Sequence, residues 1–223
     1  DAATSADYIA FIDDDELADH NWLTSLMAHM VSSQDYAAVL GPVDAIYPAD
    51  CPAWMRTGNF HATRPVFVRG EIITGYSCNL LLKTSILNPL HLRFRTELGK
   101  TGGEDSVFLS TLYQKGGKIT YAPDALLHEP VPDNRASLLW LIKRRFRSGQ
   151  THAVMCLDKT TDHTMSFRIK LAIIASIKAM LCAIMAIISV WNTPKMIEWL
   201  LRGSLHVGVL ARICGKKEVI QYG

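Results

Sequence analysis

An uninterrupted apolar stretch near the C-terminus constrains this chain most. Residues 171–190 contain a single charged side chain, Lys178. A helix of that length, at about 1.5 Å per residue, spans about 30 Å, which is the thickness of a bilayer core. Trp191 follows where an interfacial anchor would sit, and Pro194 ends the helix. We therefore predict an apolar helix over residues 171–190 that spans or lies on a membrane, with a buried core helix as the alternative.

A second helical pattern covers residues 196–213. Glu198, Arg202 and His206 recur every four residues and place one polar stripe on an otherwise apolar helix. Such an amphipathic helix either lies on an anionic membrane leaflet or packs on the protein's own domain. With the apolar stretch, it defines a predicted membrane-associated segment over residues 161–223.

Charge and cysteine content limit the class of protein. The 223 residues carry 23 Lys and Arg against 21 Asp and Glu, and 49% of them are apolar. This composition excludes a disordered chain and a strongly basic nucleic-acid binder, so we expect no nucleic-acid partner. The five cysteines are scattered and form no Cys-x-x-Cys pair, which favours a reducing compartment over a disulfide framework.

The N-terminus runs directly into a strand pattern. Asp1 precedes the apolar run of residues 8–12 by only a few residues, without the features of a signal peptide. We expect the chain to be an N-terminally truncated part of a longer protein.

Residues 1–160 alternate between strand and helix patterns. We predict strands over residues 8–12, 37–43, 66–73, 78–83, 118–121 and 125–127. We also predict three helices, of which one begins after Asp19, one ends at Gln114 and one covers residues 136–147. Residues 44–65 contain three prolines, one glycine and no periodic pattern, which predicts a loop. The mixture predicts an α/β domain over residues 1–160.

Four acids follow the first predicted strand. Asp13, Asp14, Asp15 and Glu16 come directly after it, and ligands of open α/β sheets bind beyond the carboxyl ends of strands. Asp13 and Asp15 lie two residues apart, so an extended backbone points them to the same side. Clustered carboxylates are held ionised by a cation, and Mg²⁺ or Mn²⁺ prefers such oxygen ligands. The alternative is a solvated acidic loop that favours the following helix.

Glu104 and Asp105 open a predicted helix after Gly102 and Gly103. This position predicts either a general base on a glycine-hinged loop or simple capping of the helix. His128 follows a predicted strand, and taken alone it is more typical of a surface or core histidine.

Two further pairs are weaker candidates. Gly75 and Asn79 lie on a predicted turn, where their spacing says little. Arg144 and Arg147 lie three residues apart on one helical face, where they would either clamp a diphosphate through forked hydrogen bonds or offset the helix dipole.

The order of these motifs resembles the family 2 inverting glycosyltransferases of the GT-A fold. A strand ending in three aspartates precedes a Gly-to-Asn segment, a Gly-Gly-Glu-Asp helix start, a late histidine and an Arg-rich helix. The sequence is especially similar to the succinoglycan-type exopolysaccharide glucosyltransferases of bacteria. The resemblance covers about residues 1–150 and implies a Rossmann-like GT-A domain that lacks its N-terminal strands.

The resemblance also implies roles for the acidic motif. Asp13 to Asp15 match the DxD motif, with Asp15 as the direct ligand of Mg²⁺ or Mn²⁺, Asp13 beside it and Asp14 facing the sugar nucleotide. His128 matches the late histidine that joins the metal or the diphosphate.

The remaining motifs are assigned in the same way. Glu104 and Asp105 match the ED motif, with Asp105 as the catalytic base. The segment from Gly75 to Asn79 matches the loop that lines the donor sugar and the acceptor. Arg144 and Arg147 sit at an Arg-rich segment where many relatives have a Trp after the second basic residue, and here Ser148 follows instead.

From this resemblance we expect an inverting transfer of a hexose in bacterial surface or exopolysaccharide synthesis. The donor would be a nucleotide-diphosphate sugar such as a UDP-sugar, and the acceptor a hydroxyl of a lipid-linked saccharide. The apolar helix would hold the enzyme at the inner leaflet, on the cytoplasmic face of the inner membrane. Two other classes stay open: a hydrolase using paired carboxylates, and a non-catalytic membrane-tethered module or inactive remnant that binds saccharide.

Overall fold

The structure is a computed structural model that describes residues 6–87, 89–90, 92–95, 102–158 and 165–217. The chain forms two compact units. The first contains Asp1–Ile46, His61–Gly99 and Glu104–Pro130, and the second contains Tyr47–Phe60, Lys100–Gly103 and Val131–Gly223.

The strands of the described residues are all in the first unit. In chain order they are β1 (Tyr8–Ile12), β2 (Leu17–Ala18), β3 (Tyr36–Leu40), β4 (Val43–Ile46), β5 (Phe67–Val68), β6 (Glu71–Ile72), β7 (Asn79–Lys83), β8 (Lys118–Tyr121) and β9 (Leu127–Pro130). This unit also holds the helices α1 (Trp22–Val31) and α3 (Glu104–Gln114) and a 3-10 turn (Thr84–Ile86), whereas α2 (Ala53–Gly58), α4 (Leu138–Asp158), α5 (Met165–Ile188) and α6 (Thr193–Ile213) belong to the second unit.

The main sheet of the first unit has the order β1-β7-β3-β8. β7 is antiparallel to both of its neighbours, and β3 is parallel to β8, so β1, β3 and β8 run in one direction. Ile12 pairs with Asn79, and Leu40 pairs with Leu80 and Tyr121. The register therefore places the carboxyl ends of β1, β3 and β8 at the same edge as the start of β7.

The core of this unit lies on both faces of the sheet. β7 reads Asn-Leu-Leu-Leu-Lys, and its three leucines are buried, as expected of an inner strand covered on both sides. α1 packs Leu26 and Met30 on one face, while α3 packs Phe108, Leu109 and Leu112 on the other. Burial of the β7 leucines beneath the two helices stabilises the sheet and so fixes the position of its carboxyl edge.

Two small sheets accompany the main one. β2, β9 and β4 form a three-stranded sheet, in which β9 is antiparallel to β2 and parallel to β4. β5 and β6 form a hairpin whose two turn residues, Arg69 and Gly70, both have positive φ (54° and 86°). A two-residue turn with both φ angles positive matches the right-handed twist of its flanking strands.

The second unit is helical. α4 and α6 cross at Gly149 and Gly208, and α5 packs on α6 through the small buried residues Ala175, Cys182 and Ala186. Much of the remaining surface of α5 is apolar and exposed, although it also carries exposed arginine and lysine side chains. The helix is long and apolar enough to cross a membrane by length and composition. The predicted C-terminal apolar and amphipathic helices are therefore present.

The predicted α/β fold class is confirmed, whereas some predicted elements were wrong. Residues 44–65, predicted as a loop, contain most of β4 and the helix α2. The helix predicted over residues 136–147 continues to Asp158, and α4 belongs to the second unit, whose main segment begins at Val131. The compact units thus do not coincide with the predicted domains 1–160 and 161–223.

Candidate functional site

The acidic turn after β1 is the first part of the site. Glu16 N–H donates to the Asp13 carbonyl at 3.2 Å, and Asp13 N–H donates to Glu16 Oε2 at 3.1 Å. This reciprocal pair closes a tight turn, so that Asp13, Asp14 and Asp15 are exposed while Glu16 is buried. Burial raises the pKa of Glu16 to about 7, and the nearby carboxylates of Asp13, Glu129 and Asp15 add to the rise.

Strand β9 brings another carboxylate to this turn. β9 pairs with β2, so that His128 of β9 lies opposite Leu17 of β2. Leu17 directly follows Glu16 in the chain. Successive residues of a strand point to opposite faces, so His128 and Glu129 separate. Glu129 lies near enough to Glu16 to raise its pKa, whereas His128 Nε2 lies 3.4 Å from Asp19 Oδ1. The residue of β9 that joins the carboxylates is therefore Glu129, and the metal-ligand role of His128 stays a prediction.

The start of α3 contacts the loop between β6 and β7. Ser77 N–H donates to Asp105 Oδ2 at 3.3 Å, and Ser106 N–H donates to Asp105 Oδ1 at 2.6 Å. The Ser106 hydroxyl donates to the Gly75 carbonyl at 3.0 Å, and the Thr74 hydroxyl donates to the Ser106 carbonyl at 2.9 Å. These bonds fix the Asp105 carboxylate against the loop, so two motifs that are far apart in sequence meet.

Cys78 shows that the acids converge. Burial is the main reason that the pKa of its thiol is raised, and the carboxylates of Glu16, Asp13, Asp105 and Glu129 raise it further. Electrostatic effects of this kind require the carboxylates to lie near the thiol. Acids from the turn after β1, from β9 and from the start of α3 therefore lie in the neighbourhood of one half-buried thiol.

The donor set of this cluster suits a hard divalent cation. Among the described residues, no group of three His, Cys, Asp or Glu side chains is arranged so as to hold a metal ion. Mg²⁺, however, is usually bound through one or two carboxylates, with phosphate oxygens and waters supplying the rest. The exposed acids Asp13 and Asp15 fit that requirement chemically, and the cofactor stays a prediction.

Asn79 lies inside the protein beneath the acidic turn. It is fully buried, and its Nδ2 donates to the carbonyls of Pro42 and Ala125, each at 2.8 Å. Its Oδ1 accepts from Trp22 Nε1 at 2.9 Å. A Cβ on Gly41 would lie 2.4 Å from Asn79 Nδ2, so that glycine leaves the space for the amide. These contacts make Asn79 a positioning residue that ties three segments together.

Gly75 is closely packed, and Glu104 is partly buried. A Cβ on Gly75 would lie 2.7 Å from Leu40 Cδ1 and 2.8 Å from Leu109 Cδ1. The loop therefore lies so close to the sheet and α3 that a larger residue at this position would require the two leucine side chains to shift. Glu104 Oε2 is buried and has no hydrogen-bond partner among the residues that the structure describes.

Arg144 and Arg147 belong to the second unit. The Arg144 guanidinium lies 5.3 Å from the centroid of the Trp140 ring, a distance suited to a cation–π contact. Gly102 has φ of 71°, and a Cβ there would lie 1.9 Å from Arg147 Nη1, so its backbone packs directly on that guanidinium. Contact of Arg144 and Arg147 with a diphosphate stays a prediction.

Sequence reasoning missed several residues of the site. Glu16 was grouped with the exposed acids although it is buried, and Cys78 and Glu129 were not selected. Tyr76 was also missed, and its hydroxyl donates to the Gly41 carbonyl at 2.7 Å. The predicted strand over residues 125–127 ended before Glu129, so the alternation that separates Glu129 from His128 became visible only with the observed bounds of β9.

Comparison with known proteins gives one extensive sequence match. Over 220 residues the chain is 44% identical to the succinoglycan biosynthesis protein ExoM of Rhizobium meliloti (strain 1021), covering 99% of this chain and 70% of that protein. No protein-family model matches the chain. The crystal structure of S. aureus TarS 1-349 aligns with 14% identity and a TM-score of 0.42, over 100% of this chain and 74% of that one. The structural likeness is too distant to support an inference by itself.

Proposed function

The chain belongs to the succinoglycan-type glycosyltransferases, and from this we propose that it transfers a hexose from a nucleotide-diphosphate sugar to a saccharide hydroxyl with inversion. A UDP-sugar is the proposed donor, and a lipid-linked saccharide of exopolysaccharide or surface polysaccharide synthesis is the proposed acceptor. The observation that supports this proposal most directly is that Asp105 accepts from Ser77 N–H, two residues before Asn79, while Asn79 pairs with Ile12, the residue before Asp13.

Asp105 is the proposed catalytic base. Two backbone N–H groups orient its carboxylate, so it is held at a fixed position at the start of α3. In a single displacement, Asp105 would accept the proton of the acceptor hydroxyl while that oxygen attacks the anomeric carbon and the nucleoside diphosphate leaves. Glu104, the neighbouring acid of the motif, is proposed to assist at the same helix start.

The acidic turn is proposed to hold the donor. Asp15 and Asp13 would bind Mg²⁺ or Mn²⁺, and the bound ion would neutralise charge on the leaving diphosphate. Asp14, exposed between them, would face the sugar nucleotide. Arg144 and Arg147 would add cationic hydrogen bonds to the diphosphate.

Membrane association is proposed through α5. One apolar helix that is mostly exposed, and a relative named for polysaccharide biosynthesis, support a location at a membrane. The inner leaflet, on the cytoplasmic face, is the proposed side because nucleotide sugars would meet a lipid-linked acceptor there.

The proposed function is tested by Asp105→Asn in the natural full-length protein. We expect the rate of sugar transfer to fall by about 10²–10⁴-fold, because a general base contributes on that order. In the same assay, EDTA should abolish transfer and added Mn²⁺ or Mg²⁺ should restore it.

Asp50→Asn is the matched control, because Asp50 is an exposed acid of the second unit that has no role in the mechanism. It should leave transfer unchanged. Transfer by Asp105→Asn within about tenfold of the parent rate would remove the base assignment, and transfer that is insensitive to EDTA would remove the metal from Asp13 and Asp15.

A further inference from the structure

A groove of about 500 Å³ runs along the outer edge of β8 in the first unit. Its walls are aromatic, formed by Tyr36, Phe67, Tyr113 and Tyr121, and the ring centroids of Phe67 and Tyr121 lie 6.4 Å apart in an edge-to-face arrangement. Its volume lies within the range of about 300–1,000 Å³ that is usual for small-molecule sites. Phe67 lies on the β5–β6 hairpin and is 56% exposed.

The groove also carries hydrogen-bonding groups beside these rings. Glu71 and Thr120 line it, and Glu71 Oε2 accepts from the Tyr113 hydroxyl at 2.5 Å. β8 is the edge strand of the main sheet, so alternate backbone N–H and C=O groups point away from β3. Aromatic faces next to polar groups suit a ligand with an apolar face and a rim of hydroxyl groups, which describes a sugar ring.

The charges of the groove argue against a phosphorylated ligand. Glu71 is an acid, and Lys118 Nζ lies 2.8 Å from Asp35 Oδ2, so that cation is already paired. A nucleoside diphosphate would need unpaired cations or a metal ion. The groove is therefore matched to a neutral ligand rather than to the donor.

One end of the groove lies at the catalytic edge of the sheet. Tyr121 pairs with Leu40, the last residue of β3, and Leu40 pairs with Leu80 next to Asn79. The same edge carries the acidic turn after β1, because Ile12 pairs with Asn79. A ligand that extends along β8 would reach the edge at which the carboxylates converge.

We propose that this groove binds the neutral saccharide portion of the acceptor, which rests on the proposed glycosyltransferase function. Phe67 and Tyr121 provide the stacking surface. Glu71 accepts hydrogen bonds from the sugar hydroxyls, and the backbone C=O and N–H groups at the outer edge of β8 accept and donate others. These residues are specificity-determining and take no part in the chemical step.

The test is Phe67→Ala in the natural full-length protein. The KM for the acceptor should rise about tenfold or more, because the loss of one stacking ring removes contact with the sugar. The KM for the donor and the rate of uncoupled donor hydrolysis should stay unchanged. Binding is measured separately by saturation-transfer NMR with cellobiose, laminaribiose and gentiobiose, and at least one should give a signal that Phe67→Ala removes.

Val66→Ala is the matched control, because Val66 is a neighbouring exposed apolar residue, 68% exposed, that does not line the groove. It should behave like the parent protein in both measurements. The proposal is overturned if no disaccharide gives a signal, if the two variants behave alike, or if Phe67→Ala raises the donor KM equally. A parent dimer that Phe67→Ala dissociates would instead assign the edge to a second copy of the chain.

The two proposals fail separately. A protein that binds a disaccharide through Phe67 but transfers no sugar would end the proposed function and the assignment of an acceptor, and would keep the groove as a saccharide-binding site. A protein that transfers sugar equally well with Phe67→Ala and Val66→Ala would keep the function and end the groove.

Discussion

The buried Glu16 side chain makes the stability of the folded protein depend on pH. In the folded protein it keeps its proton up to about pH 7, because burial and the neighbouring acids Asp13, Glu129 and Asp15 disfavour the carboxylate. In the unfolded chain it ionises near its ordinary pKa of about 4.5. Between these values the unfolded state loses a proton that the folded state keeps, so stability falls as the pH rises and the full cost is present above pH 7.

We predict that Glu16→Gln stabilises the protein in metal-free buffer at pH 8 by roughly 1–3 kcal/mol, because it removes the cost of ionising a buried carboxyl group. The Gln side-chain oxygen can still accept from Asp13 N–H. Chemical denaturation at several pH values measures the difference, which should shrink as the pH falls from 7 to 4. Asp50→Asn controls for the general loss of one negative charge, and an equal gain at pH 4 and pH 8 would contradict the prediction.

At the scale of elements, the crossing of α4 and α6 depends on two glycines. A Cβ on Gly208 would lie 1.9 Å from the Phe146 carbonyl oxygen, and one on Gly149 would lie 1.9 Å from the Leu205 carbonyl oxygen. These neighbours are backbone atoms, which cannot rotate away. The two helices are therefore in direct backbone contact, a geometry that supports weak Cα–H···O bonds.

We predict that Gly208→Ala lowers the stability of the protein by about 1–3 kcal/mol, because the added methyl group forces the helices apart. This corresponds to a fall in Tm of about 2–4 °C per kcal/mol for a chain of this size. Gly203→Ala on the same helix is the control, because its Cβ would meet Cys182 Cβ at 3.4 Å, an ordinary contact. Thermal unfolding that is equally sensitive to both substitutions would show that the close crossing is not the cause.

At the scale of the whole molecule, the main feature is the exposed apolar surface of α5, which is suited to contact with a membrane. Only 17% of its most apolar 18-residue window is buried, whereas a core helix would be mostly covered. The residues that pack on α6 are small, and the bulky residues Ile177, Leu181 and Ile184 are exposed. Small residues at a helix contact and large apolar residues outside are typical of helices that face lipid.

We predict that the parent protein floats with liposomes in a density gradient and that the double substitution Ile177→Lys, Ile184→Lys abolishes flotation. Each lysine costs about 2.5–3.5 kcal/mol near the centre of a membrane helix. Val31→Lys, which charges an exposed apolar residue of α1, should leave flotation intact. Flotation of the double variant at the parent level would mean that α5 is not the membrane anchor.

Local pattern in the sequence was sufficient for many elements. The runs at residues 8–12 and 118–121 form β1 and β8 with the predicted bounds, and α5 and α6 lie where their apolar patterns predicted them. These elements depend on interactions within a few residues, such as side-chain periodicity and length. The four acids after β1 and the Glu-Asp pair at the start of α3 could be selected for the same reason, because strand and helix ends are recognisable locally.

Only the tertiary structure decided how these motifs combine. Strand pairing placed Asn79 beside the acidic turn, and both side-chain amide hydrogens of Asn79 donate to carbonyl groups inside the protein. Strand alternation brought Glu129 rather than His128 to the carboxylates. Burial separated Glu16 from the three exposed acids next to it. The sequence by itself therefore determined the fold class, the main elements and the acidic motifs, whereas long-range packing decided which side chains share one environment, since burial and electrostatic effects depend on distance in space and not along the chain.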